Sequence, residues 1–158
     1  LTVQEMAGMH RLPITARQWA AMLCRAIDKE NALADPASYG GDVYINQGYA
    51  DGWLNLTAIA APDSRLCRYA IYESGFAAFD IALYSSQLYP DEEALSPKDN
   101  AFHAAVSFGL CEDACAGTDI ISRDEAANLL YALLTGEFTV ALPPILETIP
   151  LEPRAYIE

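Results

Sequence analysis

Seven arginines and two lysines face 22 acids in this 158-residue chain, which leaves a net charge of -13. Against that scarcity of cations, the placement of Arg17, Arg65 and Arg123 draws notice. Each stands in a short stretch that reads as a helix opening: "ITARQ", "DSRLC" and "ISRDE". A helix N-terminus favours anions, so a first-turn arginine is most simply a solvated side chain. The chemical reading is recognition, because a guanidinium fork beside free backbone N–H groups at a helix start is a receptor for a carboxylate.

Residue types suited to catalysis are sparse. His10 and His103 are the only histidines, no serine sits in a nucleophile-elbow pattern, and no carboxylate pair is marked by its surroundings as acid and base. A Cys-His pair drawn from Cys24, Cys67, Cys111 or Cys115 with His103 is the remaining catalytic alternative, and the reading is non-enzymatic. Cys24 and Cys67 fall in helical patterns and read as small buried hydrophobes. Cys111 and Cys115 in "CEDAC" lie four apart; a helix would hold their Cβ atoms about 5 to 6 Å apart, so a disulfide requires a loop there. Zinc would need two further ligands, and only His103 is close. No metal or cofactor is expected.

The elements that must carry the arginines are helices. In "DIISRDEAANLLYALLTGE", Ser122 is a cap residue and Glu125 is placed to close a capping box. Ala126, Leu129, Leu130, Leu133 and Leu134 follow at the spacing of one buried face, and Gly136 is placed to end the helix. Moving back 107 residues lays this stretch on "ITARQWAAMLCRAI". Thr15 falls on the cap, Gln18 on the box partner, and Trp19, Met22, Leu23, Ala26 and Ile27 on the apolar face. A middle copy is expected at "PDSRLCRYAIYESGF", with Ser64 as cap, Arg65 matched to Arg123, and Ile71, Tyr72 and Phe76 facing inward. There Cys67 replaces the box acid and Gly75 interrupts the face.

Upstream of that copy, Gly48-Tyr49-Ala50-Asp51-Gly52-Trp53 precedes the helix opening by about a dozen residues. In this order the features resemble the loop and second helix of an S-layer homology repeat, in which a first helix ending in Gly-Ile is followed by a glycine-rich loop and an Ile-Thr-Arg-Ala-Glu opening. "NAFHAAVSFGL", ending in Gly109-Leu110, is similar to a first helix of the third copy. In the first copy Ala16 stands at the motif arginine and Arg17 follows one position later. "DPASYGGDVYINQ" is poor in helix formers, so the middle copy lacks an evident first helix.

The resemblance implies three repeats packed as a helical spindle, with grooves that hold pyruvylated or otherwise anionic cell-wall polysaccharide. Arg65 and Arg123 would contact the acid, Arg17 would lie beside them, and Gly48, Tyr49, Asp51, Gly52 and Trp53 would line one groove. It also implies the bacterial cell surface. An S-layer-homology-derived protein-interaction module that has lost glycan binding is the alternative. The simplest role for Gly48 and Gly52 is that of turn residues with positive φ, with Asp51 bonding the turn backbone.

The repeated helix starts and the resemblance together imply an all-α module at residues 1–137, with copies around 1–30, 40–80 and 96–137. The hydrophobic content of 53% is enough for one core. The net charge argues against a phosphate-tracking nucleic-acid binder, and no apolar run approaches the roughly 18 residues of a membrane span. Residues 138–158 read as a proline-rich extended strap, because Pro143, Pro144, Pro150 and Pro153 forbid a helix. With no Met or leader at Leu1, the chain is expected to be either a processed form or a piece of a longer protein.

Overall fold

The chain is described by a computed structural model over residues 8–27, 42–81, 83, 96–112 and 114–136. The expected strap at 138–158 lies outside these residues, as do the first seven residues of the first copy. The described part is all-α. Its complete helices are α1 Ala16–Ala26, α2 Val43–Ala50, α3 Leu56–Ala60, α4 Arg68–Ala78, α5 Pro97–Ser107 and α6 Arg123–Thr135.

Most of these helices begin where a side-chain oxygen can satisfy first-turn N–H groups. Thr15 and Gln18 form the full reciprocal box of α1: the hydroxyl accepts from Gln18 N–H at 3.3 Å, and the amide oxygen accepts from Thr15 N–H at 3.1 Å. Asp42 accepts from Tyr44 and Ile45 N–H groups at the start of α2. That cap explains a first helix in a stretch whose composition disfavours one. Ser96 caps α5, with Pro97 at its first position. Ser122 Oγ caps α6 by accepting from Glu125 N–H at 3.2 Å.

Two of these starts join a third through a closed cycle of backbone hydrogen bonds. Ile14 N–H donates to Ile121 C=O at 2.9 Å, Ile121 N–H to Leu66 C=O at 2.9 Å, and Leu66 N–H to Ile14 C=O at 3.0 Å. Around this ring the next N–H groups are satisfied in the same order: Ala16 by Ser64 C=O, Arg68 by Asp119 C=O and Arg123 by Leu12 C=O. One position further, Arg17, Tyr69 and Asp124 donate to Pro62, Gly117 and His10. Isolated antiparallel bridges, Pro13 with Ser122, Thr15 with Arg65 and Cys67 with Ile120, are the strand-like trace of this pattern.

The ring corrects the expected register of the middle helix. Ser64 is not a cap; Cys67 is the N-cap of α4, and its side chain makes no cap hydrogen bond. The sequence favoured Ser64 because its hydroxyl suits a cap. The fold selects instead the apolar residue before the cap, so Leu66 fills the place that Ile14 and Ile121 fill in the other two. Arg68, rather than Arg65, then matches Arg123 and Ala16.

Helix ends follow a second shared pattern. Trp53 N–H donates to Gly48 C=O at 2.8 Å and Gly52 N–H to Tyr49 C=O at 3.1 Å, while Leu110 and Gly109 make the same pair of bonds to Ala105 and Val106. These are Schellman turns, with Gly52 and Gly109 at positive φ. Gly52 is therefore the turn glycine expected. Gly48 and Tyr49 are not loop residues; both lie in α2. Gly48 lets the Leu54 side chain lie close to the helix: a Cβ there would stand 2.7 Å from Leu54 Cδ1, and that side chain would have to shift. Asp51 is the C-cap of α2 and accepts from Gln47 Nε2 at 2.7 Å.

The core gathers Ile14, Trp19, Leu23, Ile71, Phe76, Phe108, Ile121, Leu129 and Leu133. Cys24 is fully buried within it, as expected of a small hydrophobe. The apolar face of α6 is narrower than the sequence suggested: Leu130 is half-buried and Leu134 is exposed. Gly136 ends α6 in the left-handed region. Gly75, the apparent flaw in α4, sits where the Trp19 ring and Leu133 close on the helix.

Candidate binding grooves

The Gly52 and Gly109 turns each border a groove. The first, a cavity of about 430 Å³, runs from Gly52 and Trp53 past Arg65 and Cys67 to Glu73. A second, of about 320 Å³, runs from Gly109 and Leu110 past Arg68 and Tyr72 to Glu125 and Asn128.

The expected cations fare differently. Arg65 lies outside the first turn of α4, is exposed, and lines the first groove. Arg17 is held by two acids, Nη1 to Asp42 at 2.9 Å and Nε to Asp63 at 3.2 Å. Arg123 occupies the first position of α6, where its Nε is buried with no hydrogen-bond partner among the described residues. Trp53 is only 9% exposed, so it is a wall of the core rather than an open sugar platform. Tyr49 is half-buried on α2.

Free backbone N–H groups were half of the expected carboxylate receptor, and the structure removes most of them. The first two N–H groups of α1, α4 and α6 all donate to loop carbonyls, and Thr15 and Ser122 take the third in α1 and α6. Of that expected receptor, the guanidinium groups are what remains at these starts.

Arg68 is the residue that sequence reasoning missed. Its Nη2 lies 3.2 Å from Glu125 Oε2, its Nε 3.5 Å from Asp119 Oδ2, and its Nη1 donates to Tyr72 OH at 3.5 Å. Burial works against its charge, but the Tyr72 hydrogen bond and the Glu125 carboxylate outweigh it and hold the guanidinium's pKa above its ordinary value. Burial first, then a hydrogen bond with Cys111, pushes the Tyr72 phenol up, while Arg68 pulls it down. Aligning the copies on Ile14, Leu66 and Ile121 would have found Arg68.

Glu125 also departs from expectation. Its backbone N–H meets Ser122, but its carboxylate turns to Arg68 and the return arm of the capping box is not made. In "CEDAC" Cys115 N–H donates to Glu112 C=O at 3.0 Å and neither Cys111 nor Cys115 lies in a helix, so the helical obstacle to a disulfide is absent; no disulfide joins any of the four cysteines. Among the described residues no three His, Cys, Asp or Glu side chains converge as a cation site requires, and no helix is long and apolar enough to cross a membrane. Comparison with protein-family models, with curated proteins and with solved structures finds no match to this chain.

Proposed function

We propose that the chain is a degenerate S-layer-homology-type module, three copies packed as a helical spindle, that binds anionic cell-wall polysaccharide at a bacterial envelope without catalysis. The observation that carries this reading is the cyclic bonding of Ile14, Leu66 and Ile121, which brings three like helix starts to one axis. The separations from Thr15 to Cys67 and from Cys67 to Ser122, 52 and 55 residues, become nearly equal once the middle register is set by the ring. The motif position is then Ala16, Arg68 and Arg123 in the three copies. Arg123 lines neither of the two grooves described, and its Nε is buried, so an external acid would have to meet the outer nitrogens of its guanidinium; it is proposed here because it is the motif arginine with no ion pair among the described residues.

One observation favours the second reading, a protein-interaction module derived from the same scaffold. Of the three motif positions one is alanine and one is already paired with acids, which leaves Arg123. Calorimetric titration with purified acidic cell-wall polysaccharide separates the two. Wild type is expected to bind, more weakly as salt rises because the contact is partly screened. Arg123→Ala should lose about 1.5 to 3 kcal/mol, the range for hydrogen bonds to charged groups. Arg123→Lys should recover only part, since an ammonium cannot make the two-pronged contact. No binding by wild type at low salt would reject the glycan reading for the protein-interaction one.

A further inference from the structure

Gln18 and Glu125 stand at the same position, third in their helices, and do different things. Gln18 returns to the Thr15 N–H. Glu125 leaves its own cap and reaches Arg68 on a different helix start. We propose that Glu125 is a built-in carboxylate that fills the Arg68 groove, so that an external carboxylate binds there only by displacing it. This rests on reading the grooves as acid-binding sites.

The two acids around Arg68 are not equivalent. Asp119 also accepts from Ala116 N–H at 2.9 Å, which ties its carboxylate to its own loop. It is a fixed counter-charge. The Glu125 carboxylate has no partner besides Arg68 among the described residues, and its side chain is 47% exposed against 15% for Arg68. The guanidinium is thus the set floor of the groove, and Glu125 is the displaceable lid charge over it. Beside the pair the cavity remains open toward Gly109, Leu110 and Asn128, which leaves room for the body of a ligand whose acid takes the place of Glu125. A tethered carboxylate competes at an effective concentration in the millimolar range or above, enough to mask the site against weak acids in solution.

The probe is pyruvate, followed by NMR at the arginine Nε–H signals, with wild type, Glu125→Gln, Glu125→Asp and the double variant Glu125→Gln/Arg68→Gln. Glu125→Gln is expected to show a saturable shift of the Arg68 signal with an apparent Kd on the order of tenfold below wild type. Glu125→Asp, one methylene shorter, should fall between them and serves where the amide variant folds poorly. The double variant should lose the response. Failure of both single variants to bind pyruvate more tightly than wild type overturns the proposal.

Titration of the same proteins with acidic cell-wall polysaccharide distinguishes this from the broader reading. Pyruvate binding unmasked at Arg68 with no polysaccharide binding by any variant would remove the glycan and keep the masked site. Polysaccharide binding that depends on Arg123, with no pyruvate gain in either Glu125 variant, would keep the glycan and remove the mask.

Discussion

The indole N–H of Trp19 donates to Ser74 Oγ at 2.8 Å, between two side chains that are 0% and 3% exposed. The hydroxyl in turn donates back along α4 to the Ala70 carbonyl. This is the one side-chain hydrogen bond by which α1 fixes its largest core residue to α4 among the bonds described. It specifies orientation, because a buried indole is apolar on its faces and needs a partner at a single edge.

Ser74→Ala should therefore destabilise the protein by about 1 to 3 kcal/mol, the cost of leaving the buried Trp19 donor unsatisfied. Trp19→Phe removes the donor along with indole volume. In the double variant the Ser74→Ala loss should largely vanish, giving a coupling of roughly 1 kcal/mol in a denaturant-melt cycle. Additive losses would mean that the bond is not what orients the ring.

That contact also marks what the sequence could and could not disclose. The helix starts at Thr15 and Ser122 were legible because a hydroxyl followed by an apolar face at three-and-four spacing is a local pattern. Gly75 looked like a defect for the same reason: periodicity knows nothing of a tryptophan arriving from another helix. The register of α4 was misread by three residues because its start lacks a capping side chain and is held by backbone bonds to Ile14 and Ile121, which are distant in sequence. The Arg68 cluster followed that error out of view. Once Cys67 is the cap, Arg68 falls on the Arg123 position; its partners Asp119 and Glu125 come from the other side of the ring and carry no local signal.

The missing cap yields a stability prediction of opposite sign. Ser122→Ala should cost on the order of 1 kcal/mol through the lost bond to Glu125 N–H. Cys67→Ser should do the reverse, because it supplies to α4 the hydroxyl that α1 and α6 already have, and a gain of about 0.5 to 1 kcal/mol is expected. Urea melts of the two variants under reducing conditions read both. A Cys67→Ser variant less stable than wild type would show that the half-buried thiol contributes more by packing than a cap can return.

At the other end of α4 the chain turns through a non-glycine residue. Ile81 N–H donates to Phe76 C=O at 2.9 Å and Asp80 N–H to Ala77 C=O at 3.2 Å, the same Schellman pair that Gly52 and Gly109 complete, but Asp80 holds it at φ 52°. A side chain in the left-handed region is strained even when it is aspartate. Asp80→Gly should stabilise by about 0.5 to 1 kcal/mol, seen as a higher midpoint with an unchanged denaturant slope. A loss of stability would point to a contact of the carboxylate that offsets the strain.

Asp99 gives the pH dependence. It lies in the first turn of α5, where Ser96 both caps its N–H and donates its hydroxyl to the carboxylate. That hydrogen bond first, and then one from Tyr69, holds the Asp99 pKa below its ordinary value of 3.8. Because the folded value is the lower one, the folded state binds the proton less readily than the unfolded chain. The stabilisation is complete above the ordinary carboxylate value and drains away as the pH falls through the lower folded value. Asp99→Asn removes the charge at every pH, so its melting temperature should lie below wild type at neutral pH. The gap should narrow as the pH falls toward 3, below the ordinary value of 3.8. Thermal melts from neutral to acidic pH measure that gap. A constant difference would assign the Asp99 contribution to hydrogen-bond geometry alone, and a gap that widens in acid would contradict the depressed pKa.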